Sequence, residues 1–303
     1  MQPFFVLCVL LCICSLTTTI YWFRIPASLT SSRFKPLTEI GYWGIPNAEF
    51  DWCEPNHLYS PYLAEPVNCL TMIPFIMVVI VLYRKCPVHF KHSRLLLLET
   101  MLIAIGSFLF HATLQYKMQL LDELPMYALV IHASFLLWYR FTTPNMVIFS
   151  ACVALFVTVS SGLLYWPQED PIHQILRGIL TYSFAIQFIY IFVAGSKLGL
   201  EADKRLKLSN CACSRLFTKS FVSFIIAITG WIFDILFCDT LLDLPFNFPY
   251  PHMHGLIWHL GTCSGLYYLI QLTMLSETRD FDSIVAFSRT LTLVESLPHK
   301  MKN

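Results

Sequence analysis

Ser107 and His111 stand four residues apart in GSFLFHATLQYKMQLLDELPM (106–126), and Asp122 and Glu123 follow before that stretch ends. Four residues make about one helical turn, so the hydroxyl and the imidazole share a face. A short polar link (Gln115, Tyr116, Lys117) separates them from the carboxylates, which precede the next apolar run. Polar groups at the mouth of a hydrophobic hairpin are costly and mark function. Far downstream, HMHGLIWHLG (252–261) supplies His252, His254 and His259. With His111 these provide enough imidazole for a three-histidine zinc site, which leaves an open position where water is acidified to a pKa of about 7. Ser107 would donate to an oxyanion, and Asp122 would orient a ligand or handle a proton. Taken singly, each histidine reads as an interfacial side chain, Ser107 as a helix-packing serine and Asp122 as an N-cap or loop acid. Glu123 reads as the solvated neighbour.

The spacing of the last histidines is irregular. His254 and His259 are five apart, about 140° round a regular helix, where two ligands on one face want four. A π-bulge would bring them into line. Otherwise His254 sits on the entering loop, or His252 is the ligand.

The elements that must position these groups are membrane spans. Of 303 residues, 56% are hydrophobic and 13% charged, with mean hydropathy +0.60; soluble domains carry about 25% charged residues. The net charge of +1 and the lack of a basic stripe with interleaved aromatics give no sign of nucleic acid, and no protein partner is evident. Residues 4–23 are apolar and read as a signal peptide or signal anchor, with a linker to residue 38. Seven runs near the ~20 residues that cross a bilayer follow, at 66–83, 95–114, 124–140, 145–165, 173–195, 217–237 and 254–275. Arg84, Lys85, Lys91, Arg94, Arg140, Lys197, Lys204, Arg205, Lys207 and Arg215 fall in the odd links, whereas the even links hold only Lys117 as a base. The positive-inside rule puts the odd links in the cytosol. The expectation is an all-α, seven-transmembrane helix bundle with a lumenal N-terminal loop, a domain over 39–275 and a cytosolic tail over 276–303. On that topology His111, Asp122, His254, His259 and Asp234 all lie near one lumenal depth. Asp234, inside the sixth run, must face the bundle interior and is a weaker member of the same set.

A second cluster, DWCEPNHLYSPYLAE (51–65), has Asp51, Glu54 and Glu65, with Asn56 and the Trp52 backbone as neutral oxygens. Calcium takes such an oxygen set, although the stretch alone reads as a solvated acidic loop. Cys53 in this loop and Cys238 at the end of the sixth run are both on the oxidising side, where a disulfide would pin the loop over the bundle mouth.

GYWG (41–44), DWCEPN (51–56), AE (64–65) with Asn68, the 106–126 stretch, WIFDILFC (231–238) and WH (258–259) occur in the order seen in alkaline ceramidases. The chain resembles that family over about Glu39 to Leu275, most closely its phytoceramidase-like branch, within the superfamily of adiponectin-receptor-like membrane hydrolases. The resemblance implies zinc (Zn2+) on His111, His259 and His254, the last only if the extra residue is absorbed, since Gly255 occupies the strictly spaced position. It implies Ser107 and Asp122 as catalytic residues, calcium (Ca2+) on Asp51, Trp52, Glu54, Asn56 and Glu65, and a Cys53–Cys238 disulfide. The implied activity is zinc-dependent, calcium-modulated hydrolysis of the ceramide amide bond by water, on substrate drawn from the lipid bilayer of the ER or Golgi. Alternatives are a seven-span lipid receptor or sensor, and a hydrolase of another lipid.

Overall fold

The computed structural model describes residues 41–141, 145–205, 212–244 and 249–277. The expected signal segment and most of the expected tail lie outside them. Ten helical pieces make up the described chain: α1 (Pro66–Leu70), α2 (Met72–Lys85), α3 (Lys91–Thr113), α4 (Tyr116–Phe141), α5 (Met146–Tyr165), α6 (Pro171–Arg205), α7 (Ala212–Leu242), a 3-10 turn (Tyr250–His252), a π-turn (His254–His259) and α8 (Leu260–Glu277). Six stretches, Pro66–Lys85, Lys91–Thr113, Tyr116–Tyr139, Met146–Tyr165, Pro171–Lys204 and Cys213–Leu242, are long and apolar enough to cross a bilayer. The chain reads as a multi-pass membrane protein whose outer surface is apolar: Leu98, Leu102, Ile105, Val157, Ile186 and Ile226 all face outward. Only helices satisfy their own backbone in such surroundings.

Local signals set the helix ends. The Asn145 side chain accepts from the amide of Val147 at 2.9 Å, capping α5. Asp170 accepts from Ile172 N at 2.8 Å, with Pro171 as the first helical residue of α6. Asp203, late in α6, accepts from the amides of Cys213 and Ser214 at 2.8 and 3.0 Å and so caps α7. The core runs through α2, α3, α4, α6, α7 and α8. There Phe192 meets Phe188, Phe221 and Phe224 edge-to-face, a preferred aromatic geometry. Helix α5 is peripheral and contributes Val159 and Leu163 to a smaller cluster with Leu120 and Leu180.

Helix α4 begins at Tyr116, eight residues before the expected span. The expected polar link is therefore mostly helical, and the turn is reduced to Leu114, in the left-handed region at φ 49°, and Gln115. Asp122 lies inside a helix and not at its mouth. Glu123, expected to be solvated, is largely buried, because Arg177 of α6 reaches it.

The 41–65 segment is an ordered loop seated on the end of α3. Glu65 N and Ala64 N donate to the carbonyls of His111 and Ala112 at 2.9 and 3.0 Å, and Asn47 N and Ala48 N donate to Leu114 O at 3.1 and 3.0 Å. The last carbonyls of a helix lack partners within it; here the loop supplies them.

Candidate active site

Three buried imidazoles, His111, His254 and His259, bring one donor atom each to within 4.8 Å of one another. Helix α3 carries the first, and the π-turn carries the other two. In that turn the extra residue is absorbed, and the rings of His254 and His259 stand 4.5 Å apart. The ring of His111 lies 5.3 Å and 5.0 Å from those two. His252, the alternative ligand, lies outside the trio, near Glu54 at 3.8 Å.

Neighbouring groups fix two of the three tautomers. His111 Nδ1 lies 2.5 Å from Glu65 Oε2, so Nδ1–H donates to the carboxylate and Nε2 keeps its lone pair. That Nε2 is buried without a hydrogen-bond partner. The Thr71 hydroxyl donates to Asn68 O at 2.8 Å, and its oxygen accepts from His259 Nδ1 at 2.8 Å. His259 Nε2 is thereby left with the lone pair. His254 Nδ1 is buried and unpartnered, and its ring is stacked under Trp52 at a centroid distance of 3.6 Å. Three converging imidazoles, each held by a second group, form a set of donors that fits a transition-metal cation.

Ser107, one turn before His111 on α3, is buried, and its side chain interacts with that of Asp122 across the α3–α4 hairpin. Gly106 permits this approach. A Cβ there would stand 2.3 Å from Leu121 O and 2.7 Å from Asp122 N. The backbones of the two helices therefore touch at the residues before the pair, and the polar pair lies on the same flank of the hairpin as the first imidazole.

The oxygen-rich loop sits directly above. Asp51 Oδ1 accepts from Asn56 Nδ2 at 2.9 Å, while Asn56 Oδ1 is buried without a partner. Glu54 accepts from Val67 N and Asn68 N at 2.6 and 2.9 Å. Glu65 takes Trp52 N and Asn68 Nδ2, both at 3.1 Å, besides His111. Burial pushes the Glu65 carboxyl well above its ordinary range, and the nearby charges of Asp51 and Glu54 raise it further. Three mutually repelling carboxylates beside an orphaned amide oxygen fit a hard cation, although the carboxylates alone do not close into a trio as the imidazoles do. Cys53 and Cys238 form a disulfide, with Cα atoms 5.3 Å apart, that ties the loop to α7.

Some site residues were not singled out from sequence. Thr71, between α1 and α2 in a run that reads as mostly apolar, orients His259. Arg177 lies near the start of an apolar run, yet its Nε donates to Glu49 at 2.7 Å and its Nη2 to Glu123 at 2.9 Å. Glu49 N in turn donates to Gln119 Oε1 at 2.7 Å. An arginine inside a span was itself the signal, and the acids it pairs with come from a loop and a neighbouring helix.

The helices, the trio of histidines and the adjacent Ser–Asp pair define a membrane-embedded hydrolase-like site. Residues 44–290 match the Ceramidase family, so the chain belongs to that family of hydrolases. It is 31% identical over 258 residues to alkaline ceramidase YPC1 of Saccharomyces cerevisiae, covering 76% of this chain and 77% of that protein. Alkaline ceramidase 3 of Mus musculus is 28% identical over 254 residues, covering 78% and 87%. An alkaline ceramidase of Arabidopsis thaliana is 26% identical over 226 residues, covering 72% and 80%.

Proposed function

We propose that this protein is a zinc-dependent amide hydrolase that cleaves ceramide to a sphingoid base and a fatty acid, and that calcium on the 51–65 loop modulates it. The reading rests above all on the convergence of three buried imidazoles beside a serine–aspartate pair. Family membership supports the substrate class.

Zinc held by His111, His254 and His259 would supply Lewis acidity toward a carbonyl oxygen and acidify water to a pKa of about 7. The chain's own groups do the rest. Glu65 and Thr71 hold two imidazoles in the tautomer that directs Nε2 inward. Asp122 takes the proton of the attacking water and hands it to the leaving nitrogen, so the sphingoid amine departs neutral. While ionised, Asp122 occupies the Ser107 hydroxyl; once protonated, it releases that hydroxyl to donate to the carbonyl oxygen as charge builds there. Bound apolar chains lie among the helices, so substrate arrives from the bilayer. The loop carboxylates Asp51, Glu54 and Glu65, with Asn56 Oδ1 and Trp52 O, would hold calcium, and Glu65 also bonds His111.

Seven spans complete the topology when the π-turn and α8 are counted as one. The 41–65 loop then faces the lumen of the ER or Golgi and the C-terminus the cytosol. The deciding experiment measures zinc per chain and release of sphingoid base from ceramide on one detergent-purified sample, with and without a chelator. The reading expects close to one zinc, turnover lost on chelation, and no turnover in a folded His111→Ala variant. Zinc without amide cleavage would turn the assignment toward a lipid receptor or another lipid's hydrolase. Turnover surviving in His111→Ala would end it.

A further inference from the structure

One face of α7 makes contacts that no catalytic role requires. Gly230 and Asp234 lie one turn apart on one face of the helix, and Cys238 follows just past a kink at Phe237. Each meets either the π-turn or the 51–56 loop. A Cβ on Gly230 would stand 2.4 Å from Ile257 Cβ and 3.3 Å from Trp258 N, so this glycine lets the π-turn lie against the helix backbone. Cys238 holds Cys53 through the disulfide. Asp234, between them, is buried and is the one charged residue of α7 between Lys219 and Asp239. Its Oδ1 accepts from His254 N at 3.1 Å, and its Oδ2 accepts from Cys53 N at 3.0 Å.

The two amides belong to residues that matter to the trio. His254 is the first residue of the π-turn, where the amide has no partner within its own helix. Cys53 follows Trp52, the residue stacked on the His254 ring. His254 is therefore gripped at its backbone by Asp234 and across its ring by Trp52, and the same carboxylate fixes the residue beside Trp52. Gly255 completes the seat, since a Cβ there would come within 2.8 Å of Asn68 Oδ1.

This arrangement answers a problem that the sequence sets. The last two histidines are five apart, and in a regular helix they would diverge by about 140°. A π-turn aligns them, but π-turns are rare and need support from outside. We propose that Asp234 is the positioning residue that holds His254 in the π register and so completes the imidazole trio. The proposal rests on the metal-site reading above. It makes Asp234 neither a ligand nor a participant in proton transfer, and it explains a buried carboxylate in the apolar 220–238 stretch of α7, where such a group is expensive.

The test is made on the full chain in detergent. Asp234→Asn keeps the shape but can accept from only one of the two amides, and it turns an NH2 group toward the other. Asp234→Glu keeps both acceptors and moves them by one methylene, which gives a second reading if the first variant does not fold. Zinc affinity is measured by competition with chelators of graded strength, and the cobalt-substituted protein is examined by visible absorption for tetrahedral ligation. Both variants should bind zinc about 10–100-fold more weakly, as when groups that orient ligands are removed, and should lose the tetrahedral cobalt band.

A general loss of stability would not predict the next result. Deleting Leu256 places the two histidines four apart, in the ordinary α register. In that background Asp234→Asn should cost little zinc affinity. Wild-type affinity in a folded Asp234→Asn variant, or an equal loss with and without the deletion, overturns the role given to Asp234. Wild-type protein that holds no zinc under the same conditions overturns the metal site itself, and this inference with it.

Discussion

Replacing Gly106 by alanine tests the hairpin geometry with a single methyl group. The new Cβ would stand 2.3 Å from Leu121 O, 2.6 Å from Leu121 C and 2.7 Å from Asp122 N. All three are backbone atoms, so no side chain can swing aside. Opening the shortest contact to an ordinary 3.4 Å separates α3 from α4 by about 1 Å. Ser107 and Asp122 ride on the two helices at this point, and the distance between their side chains would grow by a similar amount. Misplacement of about 1 Å costs roughly 100-fold in rate, or about 2.7 kcal/mol of transition-state stabilisation. Overpacking should also lower stability by about 1–3 kcal/mol. The assay is release of sphingoid base from a ceramide in detergent, with kcat and KM separated and zinc measured on the same sample. Gly106→Ala should lose kcat while retaining zinc, because the ligand contacts of His111 to Glu65 and of His259 to Thr71 do not cross this part of the hairpin. Ser107→Ala removes the hydroxyl without moving the helices and should lose kcat to a similar degree. A folded Gly106→Ala protein with kcat within about threefold of wild type, less than 1 kcal/mol, would refute the argument that helix separation controls the Ser–Asp pair.

Three further outcomes follow from the same contacts. Glu65→Gln removes the charge that holds His111 Nδ1–H and should weaken zinc binding about 10–100-fold; unchanged chelator competition would mean the carboxylate does not orient the ring. Arg177→Met leaves Glu49 and Glu123 without their cation in a largely buried setting and should destabilise by about 3–5 kcal/mol. That loss would appear as a lowered Tm, partly recovered by adding Glu123→Gln, and an additive double variant would deny the pairing. The pH dependence has a definite sign. Burial raises Glu49, with Glu123 raising it further against the lowering effect of Arg177, and burial together with Asp51 and Glu54 raises Glu65. The folded state therefore holds these protons more tightly than the unfolded chain, whose value lies near 4.5. Stability from these groups grows as pH falls from above the raised values toward 4.5 and declines again as pH rises through them. In metal-free protein, Tm should rise on mild acidification, and the rise should shrink in Glu49→Gln. Calcium favours ionised carboxylates, so it should bind more weakly at the lower pH. A Tm that only falls between pH 7 and pH 5 would contradict the sign.

The helices were legible because the bilayer demands apolar runs of fixed length, and that demand leaves little choice of secondary structure. The site residues were legible for the complementary reason. Ser107, His111, Asp122, His254 and His259 are polar groups in places where polarity is expensive. Boundaries were less legible. Helix α4 starts eight residues early because the loop, and not the helix sequence, supplies the contacts of its first turn: Asn47 Oδ1 accepts from Tyr116 N at 2.7 Å. Glu123 reads as solvated because its partner, Arg177, is 54 residues away on another helix. The register of His254 could not be decided from its own segment. Its position depends on Asp234 and Trp52, which precede it by 20 and 202 residues and meet it only after folding. A one-residue departure from regular helical spacing would ordinarily remove a ligand. Here the surrounding chain absorbs it with a carboxylate, an indole and two glycines, none of which takes part in the chemistry. The part of the site that departs from a regular helix is thus the part with the most external support, and substitutions in that support should reach the imidazole trio before they reach the fold.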